Sequence, residues 1–314
     1  STVLFEGIGA LLLFTRFYPK MGFSNGLYYS IFHSISAFCN AGFDIMGKYK
    51  PYSSFTAYYD DPVVSFTLCA LILIGGIGFI VWSDIIDHKW HFKKYALQTK
   101  MVLSFSAVLV FGGALLFYLL ERNNLYADMS TTGIICSSFF SVITPRTAGF
   151  NTADLTAMTP TSKSVMILLM LIGGSPGSTA GGMKTTTFAV LILNMVATFC
   201  QKEDIEIFGR RLDSHAIKNA ATIVALYIIL FFIGGIAISS IEHLPLLDCL
   251  FETASAVGTV GLTLGITPTL GIPSQLILIL LMFFGRVGGL TLIYAAISIK
   301  QNGVKLPLEK ITVG

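Results

Sequence analysis

The segment FFSVITPRTAGFNT, residues 139–152, indicates the fold of this sequence because the chain contains it three times in related form. It aligns without gaps with FHSISAFCNAGFDI (Phe32–Ile45) and with FETASAVGTVGLTL (Phe251–Leu264). Each copy ends in a small residue, a glycine and an apolar residue, and the central glycines are Gly42, Gly149 and Gly261. Self-similarity at a long, nearly fixed period is the signature of a fold built from repeated units.

The sequence after each copy also repeats. LILIGGIGF, LLMLIGGSPG and LMFFGRVGG place Gly75-Gly76, Gly173-Gly174 and Gly285-Arg286 in register. The predicted unit is therefore a helix, a short segment, a glycine-containing turn and a long helix. It divides the chain into residues 1–90, 91–200 and 201–314.

Composition indicates that these helices lie in a membrane. Hydrophobic residues make up 54% of the chain, charged residues only 12%, and the mean hydropathy is +0.76. About 20 apolar residues are needed to span a bilayer as a helix. The clearest predicted spans are Pro62–Ile86, Met101–Leu120, Asn219–Ile241 and Ser274–Ile299. The sequence therefore predicts an all-α, polytopic membrane protein.

The distribution of lysine and arginine predicts the orientation. Eleven of these residues fall in the HKWHFKKY region, the QKEDIEIFGRRLDSH region and the C-terminal tail, and six fall on the opposite side. Basic loops favour the cytoplasm, so these three segments and the C-terminus are predicted to be cytoplasmic. Arg146, Lys184 and Arg286 remain, and all three are predicted to lie at membrane depth.

The short segment before each turn is too short to cross the membrane. Residues 26–38 would extend roughly 20 Å as a helix, against a hydrocarbon core of about 30 Å. Such a segment must turn back, and irregular backbone at that depth is tolerated where it lines water or is buried in protein. Helix C-termini and backbone carbonyls both stabilise cations. Glycine pairs more often serve helix packing, but three aligned copies favour a cation pathway.

These residues resemble a known family. SAFCNAGFD, TPRTAGFNT and SAVGTVGLT, together with GGSPGSTAGGMKT and GRVGG, look like the KtrB/TrkH potassium-uptake subunits, and more closely the KtrB type. The resemblance covers essentially the whole chain. It implies four helix–pore loop–helix units around a pseudo-fourfold pore. Three units are visible here, and the family's first unit is expected to be missing, as in a fragment of a longer chain.

The resemblance also implies a potassium filter formed by the turns, with K⁺ as the bound ion. Selectivity is expected to depend on the central glycines, and the Asn40 side chain is a further candidate ligand. By matching position, the predicted filter backbone is Asn40, Ala41, Gly42 and Phe43; Thr147, Ala148, Gly149 and Phe150; and Thr259, Val260, Gly261 and Leu262.

GGSPGSTAGGMKTTT, residues 173–187, interrupts the second helix of its unit, and the resemblance implies an intramembrane gate loop there. The glycines are expected to supply conformational freedom, Pro176 to stop the helix, and the hydroxyls to satisfy backbone groups. Arg286 is expected to contact the loop's carbonyls, so that Arg286→Ala raises potassium flux, and Lys184 to extend toward the cytoplasm. The predicted gate residues are Gly173, Gly174, Ser175, Pro176, Gly177, Ser178, Thr179, Ala180, Gly181, Gly182, Lys184 and Arg286.

Arg146 immediately precedes a filter turn. Its guanidinium is expected to point away from the ion and to bond neighbouring carbonyls or an acid. Glu252 and Asp44 are the candidate acids, and the sequence does not choose between them.

Two other classes of function fit these residues less well. A sodium- or proton-coupled secondary transporter with a discontinuous-helix binding site is the alternative, although such folds commonly have inverted repeats and these units run in one orientation. An enzyme is not expected, since no paired carboxylates or nucleophile–base set lie at depth. The sequence G-x4-G-M-K-T resembles a phosphate loop, but Met183 separates Gly182 from Lys184 and no strand precedes it.

The remaining expectations concern cofactors and partners. No covalent cofactor is expected, K⁺ is the transported ion, and Na⁺ is a possible activator. By resemblance, a KtrA-type cytosolic ring binds the nucleotide and regulates a homodimeric subunit, whose tail KQNGVKLPLEKITVG could join the dimer contact. Membrane lipid is the other expected partner, and nucleic acid is not one. The predicted location is the cell membrane.

Overall fold

The computed structural model describes residues 2–48, 53–202 and 204–288. These contain ten α-helices and one two-stranded antiparallel hairpin. Single 3-10 turns lie at Met46–Lys48, Thr56–Tyr58, Phe92–Lys94, Leu155–Ala157 and Thr267–Thr269. In chain order the helices and strands are α1 (Thr2–Phe38), α2 (Pro62–Gly76), α3 (Phe79–His88), α4 (Leu97–Glu121), α5 (Thr131–Ile143), α6 (Pro160–Leu171), α7 (Thr185–Phe199), β1 (Glu206–Ile207), β2 (Arg210–Arg211), α8 (Ser214–Glu242), α9 (Leu246–Val257) and α10 (Ile272–Val287).

Each glycine turn is preceded by a short helical segment, here called a pore segment. In the second and third repeats these are α5 and α9, of 13 and 12 residues. In the first repeat the pore segment is the last part of α1, which is broken at Gly22, where φ 76° and ψ 178° are not helical. Left-handed φ of this kind is adopted most readily by glycine. The three repeats thus share one local architecture.

The helices that follow the turns begin in the same way. α2, α6 and α10 each have a proline in the first turn, namely Pro62, Pro160 and Pro273. Proline suits this position because its missing N–H would have no partner inside the helix. Asp61 and Thr159 cap α2 and α6 by accepting hydrogen bonds from main-chain N–H groups. These prolines are a further feature that the three repeats share.

The helices make the same contacts in successive repeats, both within a repeat and between repeats. Within a repeat, the first helix contacts the helix that contains or forms the pore segment, as α4 contacts α5 and α8 contacts α9. Between repeats, the helix after a turn packs on the next pore segment: α2 packs on α5, and α6 on α9. Because the same contact recurs in the same direction, the three repeats lie successively around a common centre.

Two helices, α4 and α8, are long and apolar enough to cross a membrane, with mean hydropathies of 2.2 and 2.6. Their exposed side chains are largely apolar; Phe111 and Leu115 on α4 and Ile233 on α8 are more than half exposed. Such surfaces suit lipid. Counting α2 and α3 as one bent span gives up to three spans among the described residues.

The predicted span Pro62–Ile86 is wrong as a straight helix. α2 and α3 meet at a 93° bend. At the bend Gly78 has φ 97°, and a Cβ there would lie 2.5 Å from the Pro176 carbonyl oxygen. The Phe79 N–H donates to the Gly177 carbonyl at 2.9 Å, so the chain from another repeat occupies the space that a straight helix would need.

The last predicted span, Ser274–Ile299, is described only in part. α10 ends at Val287, and Gly288 follows with φ 85°. Residues 289–314, including the tail that was expected to join a dimer contact, lie outside the described residues. The division at residues 90 and 200 stays a prediction.

Candidate functional site

The three glycine turns have the same alternating backbone. At the first position, Asn40, Thr147 and Thr259 have φ values of 50°, 77° and 54°. At the third position, Gly42, Gly149 and Gly261 have φ values of 74°, 82° and 91°. Asparagine and glycine enter this left-handed region readily, but a β-branched threonine there is strained. Strain that recurs at equivalent positions of two repeats marks a functional constraint.

The second residue of each turn points its N–H back toward its own pore segment. The Ala41 N–H donates to the Ser36 carbonyl at 2.9 Å, and the Val260 N–H donates to the Ser255 carbonyl at 2.8 Å. The Ala148 N–H donates to the Thr144 carbonyl at 2.9 Å, one position later in the aligned repeat. In the described part of the chain, the main-chain carbonyls of residues 40–42, 147–149 and 259–261 accept no hydrogen bond. Nine carbonyl oxygens are therefore available as cation ligands.

The turns converge on one another. A Cβ at Gly42 would lie 2.5 Å from the Ala148 carbonyl oxygen, and one at Gly149 would lie 2.4 Å from the Val260 carbonyl oxygen. The carbonyl of the second residue in one turn thus faces the glycine of the neighbouring turn. Glycine is required here by space as well as by φ.

Two of the fourth positions differ from the first three in their hydrogen bonding. The Ser36 hydroxyl donates to the Phe43 carbonyl at 2.7 Å, and the Thr144 hydroxyl donates to the Phe150 carbonyl. Each of these two carbonyls accepts a hydroxyl bond within its own repeat, and their place in the filter stays a prediction. That the Leu262 carbonyl lines the filter also stays a prediction.

A cavity of about 620 Å³ opens beside the central glycines. Gly42, Gly149 and Gly261 form part of its wall, and the carboxylates of Asp44 and Asp154 also line it. A wall of one charge sign raises the local concentration of counter-ions. The cavity is therefore suited to admit cations to the turns.

Residues 173–184, here called the crossing loop, separate α6 from α7. The loop is closed at its neck: the Gly173 N–H donates to the Met183 carbonyl at 2.7 Å, and the Thr185 N–H to the Gly174 carbonyl at 3.0 Å. The Thr185 hydroxyl donates to the Gly173 carbonyl at 3.1 Å. The loop therefore leaves the helix and returns to it through one fixed point.

The far part of the crossing loop contacts two other repeats. In the first repeat, the Asn40 side-chain amide donates to the Thr179 hydroxyl at 2.9 Å, and the Gly75 carbonyl accepts the Thr179 N–H at 3.3 Å. In the third repeat, a Cβ at Gly181 would lie 2.0 Å from the Thr259 hydroxyl oxygen. Asn40 and Thr259 are first residues of glycine turns, so the loop lies directly against the base of two turns.

Most glycines of the crossing loop are closely packed in this structure, and the expectation that they supply conformational freedom stays a prediction. A Cβ at Gly173 would lie 2.3 Å from the Gly181 carbonyl oxygen, and one at Gly174 would lie 2.3 Å from Ala180 Cβ. Only Gly177 and Gly182 have positive φ, at 70° and 63°.

Two cations hold consecutive carbonyls of the crossing loop. Arg286 donates to the Thr179 carbonyl at 3.0 Å, the contact that was expected. The Lys184 ammonium group donates to the Ala180 carbonyl at 2.7 Å, and its expected extension toward the cytoplasm stays a prediction. Both positive charges lie on the loop below the turns.

Arg146 has no acidic partner among the described residues, and the predicted pairing with Glu252 or Asp44 is wrong. The guanidinium is 6% exposed and donates to the hydroxyls of Ser106 at 3.1 Å and Thr185 at 3.4 Å. It therefore joins the second turn to the neck of the crossing loop.

The Glu252 carboxylate instead supports the segment after the third turn. It accepts hydrogen bonds from the Thr263 hydroxyl at 2.6 Å, the Leu264 N–H at 2.9 Å and the Thr267 hydroxyl at 2.6 Å. Its side chain is buried. The Asp44 carboxylate accepts a bond from the Met46 N–H at 3.0 Å.

The suggestion that the Asn40 side chain is an ion ligand stays a prediction. The Asn40 amide nitrogen is turned to the crossing loop, and Oδ1 is buried without a hydrogen-bond partner in the described structure. The special position of Thr179 was not predicted from the sequence. The loop's three hydroxyl side chains between residues 175 and 179 gave no signal to distinguish it.

Comparison with known proteins gives a family match across most of the chain. The model for TrkH, described as a cation transport protein, matches residues 1–304. The potassium/sodium uptake protein NtpJ of Enterococcus hirae is 39% identical, over 99% of this chain and 70% of its own. The Ktr system potassium uptake protein B of Bacillus subtilis is 35% identical, over 100% of this chain and 69% of its own.

A solved structure has a similar fold. It is that of the potassium transporter TrkH from Vibrio parahaemolyticus, with a TM-score of 0.70. The match covers 95% of this chain and 71% of the other at 18% identity. At that identity the likeness concerns the fold alone.

Proposed function

The chain belongs to the TrkH family of cation transport proteins, and from that premise we propose that it takes up potassium through a pore with a carbonyl filter and an intramembrane gate. It is a membrane transporter and not an enzyme. Potassium as the ion, the filter residues and the gate residues are the proposal.

The observation that carries the proposal is the set of nine main-chain carbonyls without hydrogen bonds, at the first three positions of the glycine turns. Fixed carbonyl dipoles can replace the hydration shell of a potassium ion. The short pore segments add to this effect, since helix C-termini carry a partial negative charge. The names of the relatives, which include potassium uptake, support potassium as the ion.

The crossing loop is the proposed gate. It passes beneath the first and third turns, as its contacts with Asn40 and Thr259 indicate. The positive charges of Lys184 and Arg286 on the loop's carbonyls oppose the passage of a cation. In this proposal the far part of the loop moves aside while the neck between Gly173 and Thr185 stays paired.

Several finer expectations belong to the same proposal. Sodium is a possible activator or second ion, and the name of the Enterococcus hirae relative includes sodium. The basic segments and the C-terminus lie in the cytoplasm of a cell-membrane protein. The subunit forms a homodimer on a KtrA-type ring that binds the regulatory nucleotide, and the name of the Bacillus subtilis relative, a Ktr system protein, supports such a partner.

Coupled secondary transport is the second candidate function. Its support is the broken helices: α2 and α3 are separated by a 93° bend, and α6 and α7 by the crossing loop. Broken helices form ion sites in such transporters. This candidate predicts saturable uptake that depends on a second ion, whereas a pore does not require one.

The test compares potassium and sodium uptake into liposomes that contain the full-length protein, with Gly149→Ser as the variant. A side chain at residue 149 is strained at φ 82° and meets the Val260 carbonyl oxygen. The potassium-to-sodium uptake ratio should therefore fall to near one. Gly209→Ser is the matched control, since Gly209 has φ 71° in open space on the β1–β2 hairpin. Preserved selectivity in Gly149→Ser would contradict the filter proposal and favour coupled transport.

A further inference from the structure

Asn40 and Thr179 make a direct hydrogen bond between the base of a glycine turn and the crossing loop. The Asn40 amide nitrogen donates to the Thr179 hydroxyl oxygen at 2.9 Å, across 139 positions of sequence. The Asn40 side chain is 7% exposed. In a buried site such a bond is costly to break without a replacement partner.

Every polar atom of Thr179 is engaged. Its N–H donates to the Gly75 carbonyl, and its carbonyl accepts from Arg286. Its hydroxyl lies 3.1 Å from the Phe38 carbonyl and 3.2 Å from the Gly75 carbonyl. A hydroxyl has one proton and two lone pairs. It therefore donates to one of these carbonyls and accepts from Asn40, which makes Thr179 the point where the loop is fastened to the first repeat.

The other two turns have no such donor. The residues equivalent to Asn40 are Thr147 and Thr259, and their hydroxyls are buried without hydrogen-bond partners among the described residues. Asn40 Oδ1 is also buried without a hydrogen-bond partner among the described residues. The three turns thus share a buried side-chain oxygen at the first position, and only the first turn adds an amide donor that reaches the loop.

We propose that Asn40 couples the gate to the filter: its amide fastens Thr179 while the crossing loop closes the pore, and loop departure releases the side chain to the ion path. When Thr179 leaves, the amide loses its nearest partner and the side chain can rotate about χ1 and χ2. Oδ1 then completes, with the neighbouring oxygens, an ion site at the base of the filter. This inference rests on the proposed function.

The proposal assigns two separable roles to one side chain. The amide donor affects how often the pore is open, and the oxygen affects which cation is held when it is open. Asn40→Thr removes the amide that reaches the loop but keeps a side-chain oxygen, as in the other two turns. Asn40→Ala removes both. A purely structural residue would not separate flux from selectivity in this way.

The experiment measures basal potassium flux and the potassium-to-sodium ratio in liposomes that contain the full-length protein. Thr179→Val removes the bond from Asn40 and the bond to a carbonyl, and should raise basal flux about five- to hundredfold, the range expected for loss of two net hydrogen bonds, with the ratio unchanged. Thr179→Ser retains the hydroxyl and should keep the parent flux. Asn40→Thr should raise flux with the ratio kept, and Asn40→Ala should raise flux and lower the ratio.

A double-mutant cycle isolates the pair. If the bond is the coupling, Asn40→Thr with Thr179→Val should raise flux by less than the product of the two single effects. Thr222→Val is the control, since the Thr222 hydroxyl bonds the Lys218 carbonyl of its own helix. Multiplicative effects, or a ratio unchanged in Asn40→Ala, would overturn the inference.

The outcomes also separate this inference from the proposed function. If Arg286→Ala raises flux while Thr179→Val does not, the gate stands and the role of Asn40 is wrong. If neither variant raises flux and Gly149→Ser keeps its selectivity, the gate and filter proposal fails. Thr179→Ser verifies that a change at this position is tolerated by the fold, because it alters only one methyl group.

Discussion

The glycine turns and the crossing loop are the two glycine-rich regions of the molecule, and they are held in opposite ways. Each turn is bonded mainly to its own pore segment, as Ser36 bonds Phe43 in the first repeat and Glu252 supports the third. The far part of the crossing loop is bonded to other repeats, through Asn40 and Arg286.

This difference indicates which region can move independently of the other repeats. A turn that is held within its repeat keeps its geometry when neighbouring repeats shift. A loop that is paired with itself at the neck, and with other repeats elsewhere, can leave those repeats without unfolding. We therefore expect substitutions at the turns to change selectivity, and substitutions at the loop contacts to change flux.

The largest effect is expected for Glu252→Ala. The carboxylate accepts three hydrogen bonds from residues 263–267 and is buried. Its loss leaves the buried Leu264 N–H unpaired, at a cost of about 1–3 kcal/mol, and removes the acceptor of two partly buried hydroxyls. The potassium-to-sodium uptake ratio should collapse, and the protein should unfold at a lower temperature.

Glu242→Ala is the control for this prediction. Glu242 also accepts main-chain and hydroxyl bonds, from Gly271 and Ser274, but at the start of α10. It should lower the unfolding temperature and leave the uptake ratio intact. If Glu242→Ala abolishes selectivity equally, the turns are not held locally, and the comparison with the crossing loop is wrong.

Arg286→Ala tests the other half of the comparison. The change removes a charged donor from the Thr179 carbonyl and a positive charge from the proposed pore. Basal potassium flux should rise about tenfold, the effect of about 1.4 kcal/mol, with the uptake ratio unchanged. Arg211→Ala should have no effect, since Arg211 is exposed on the hairpin and pairs with Asp204. Unchanged or lower flux at normal expression would count against the gate.

The local parts of this structure were predictable from sequence. The aligned copies predicted the positions of the turns and of Gly42, Gly149 and Gly261, because a left-handed residue in a tight turn restricts its own residue type. Residues 173–187 were predicted to break a helix, since their glycines and proline oppose one. The bend at Gly78 was missed because the apolar length of Pro62–Ile86 was given more weight than its glycines.

The contacts between repeats were not predictable. Asn40 and Thr179 are 139 positions apart, and nothing in the local sequence of either residue indicates the other. Arg146 illustrates the same limit, since neighbouring carbonyls or an acid were expected and hydroxyls from α4 and α7 were found. Which side chains meet across a centre depends on the arrangement of all three repeats.

The smallest effect is expected for Gly181→Ala. This variant tests whether the contact between residue 181 and Thr259 holds the crossing loop in place. A Cβ at Gly181 would lie 2.0 Å from the Thr259 hydroxyl oxygen. The Thr259 side chain can rotate to relieve part of this contact, so the cost in the closed state should be near the low end for overpacking, about 1 kcal/mol. Flux should rise about fivefold, with selectivity kept. In α4, Gly112→Ala adds a Cβ with nothing within 4 Å and should leave flux unchanged. If both variants behave alike, the contact with Thr259 does not hold the loop closed.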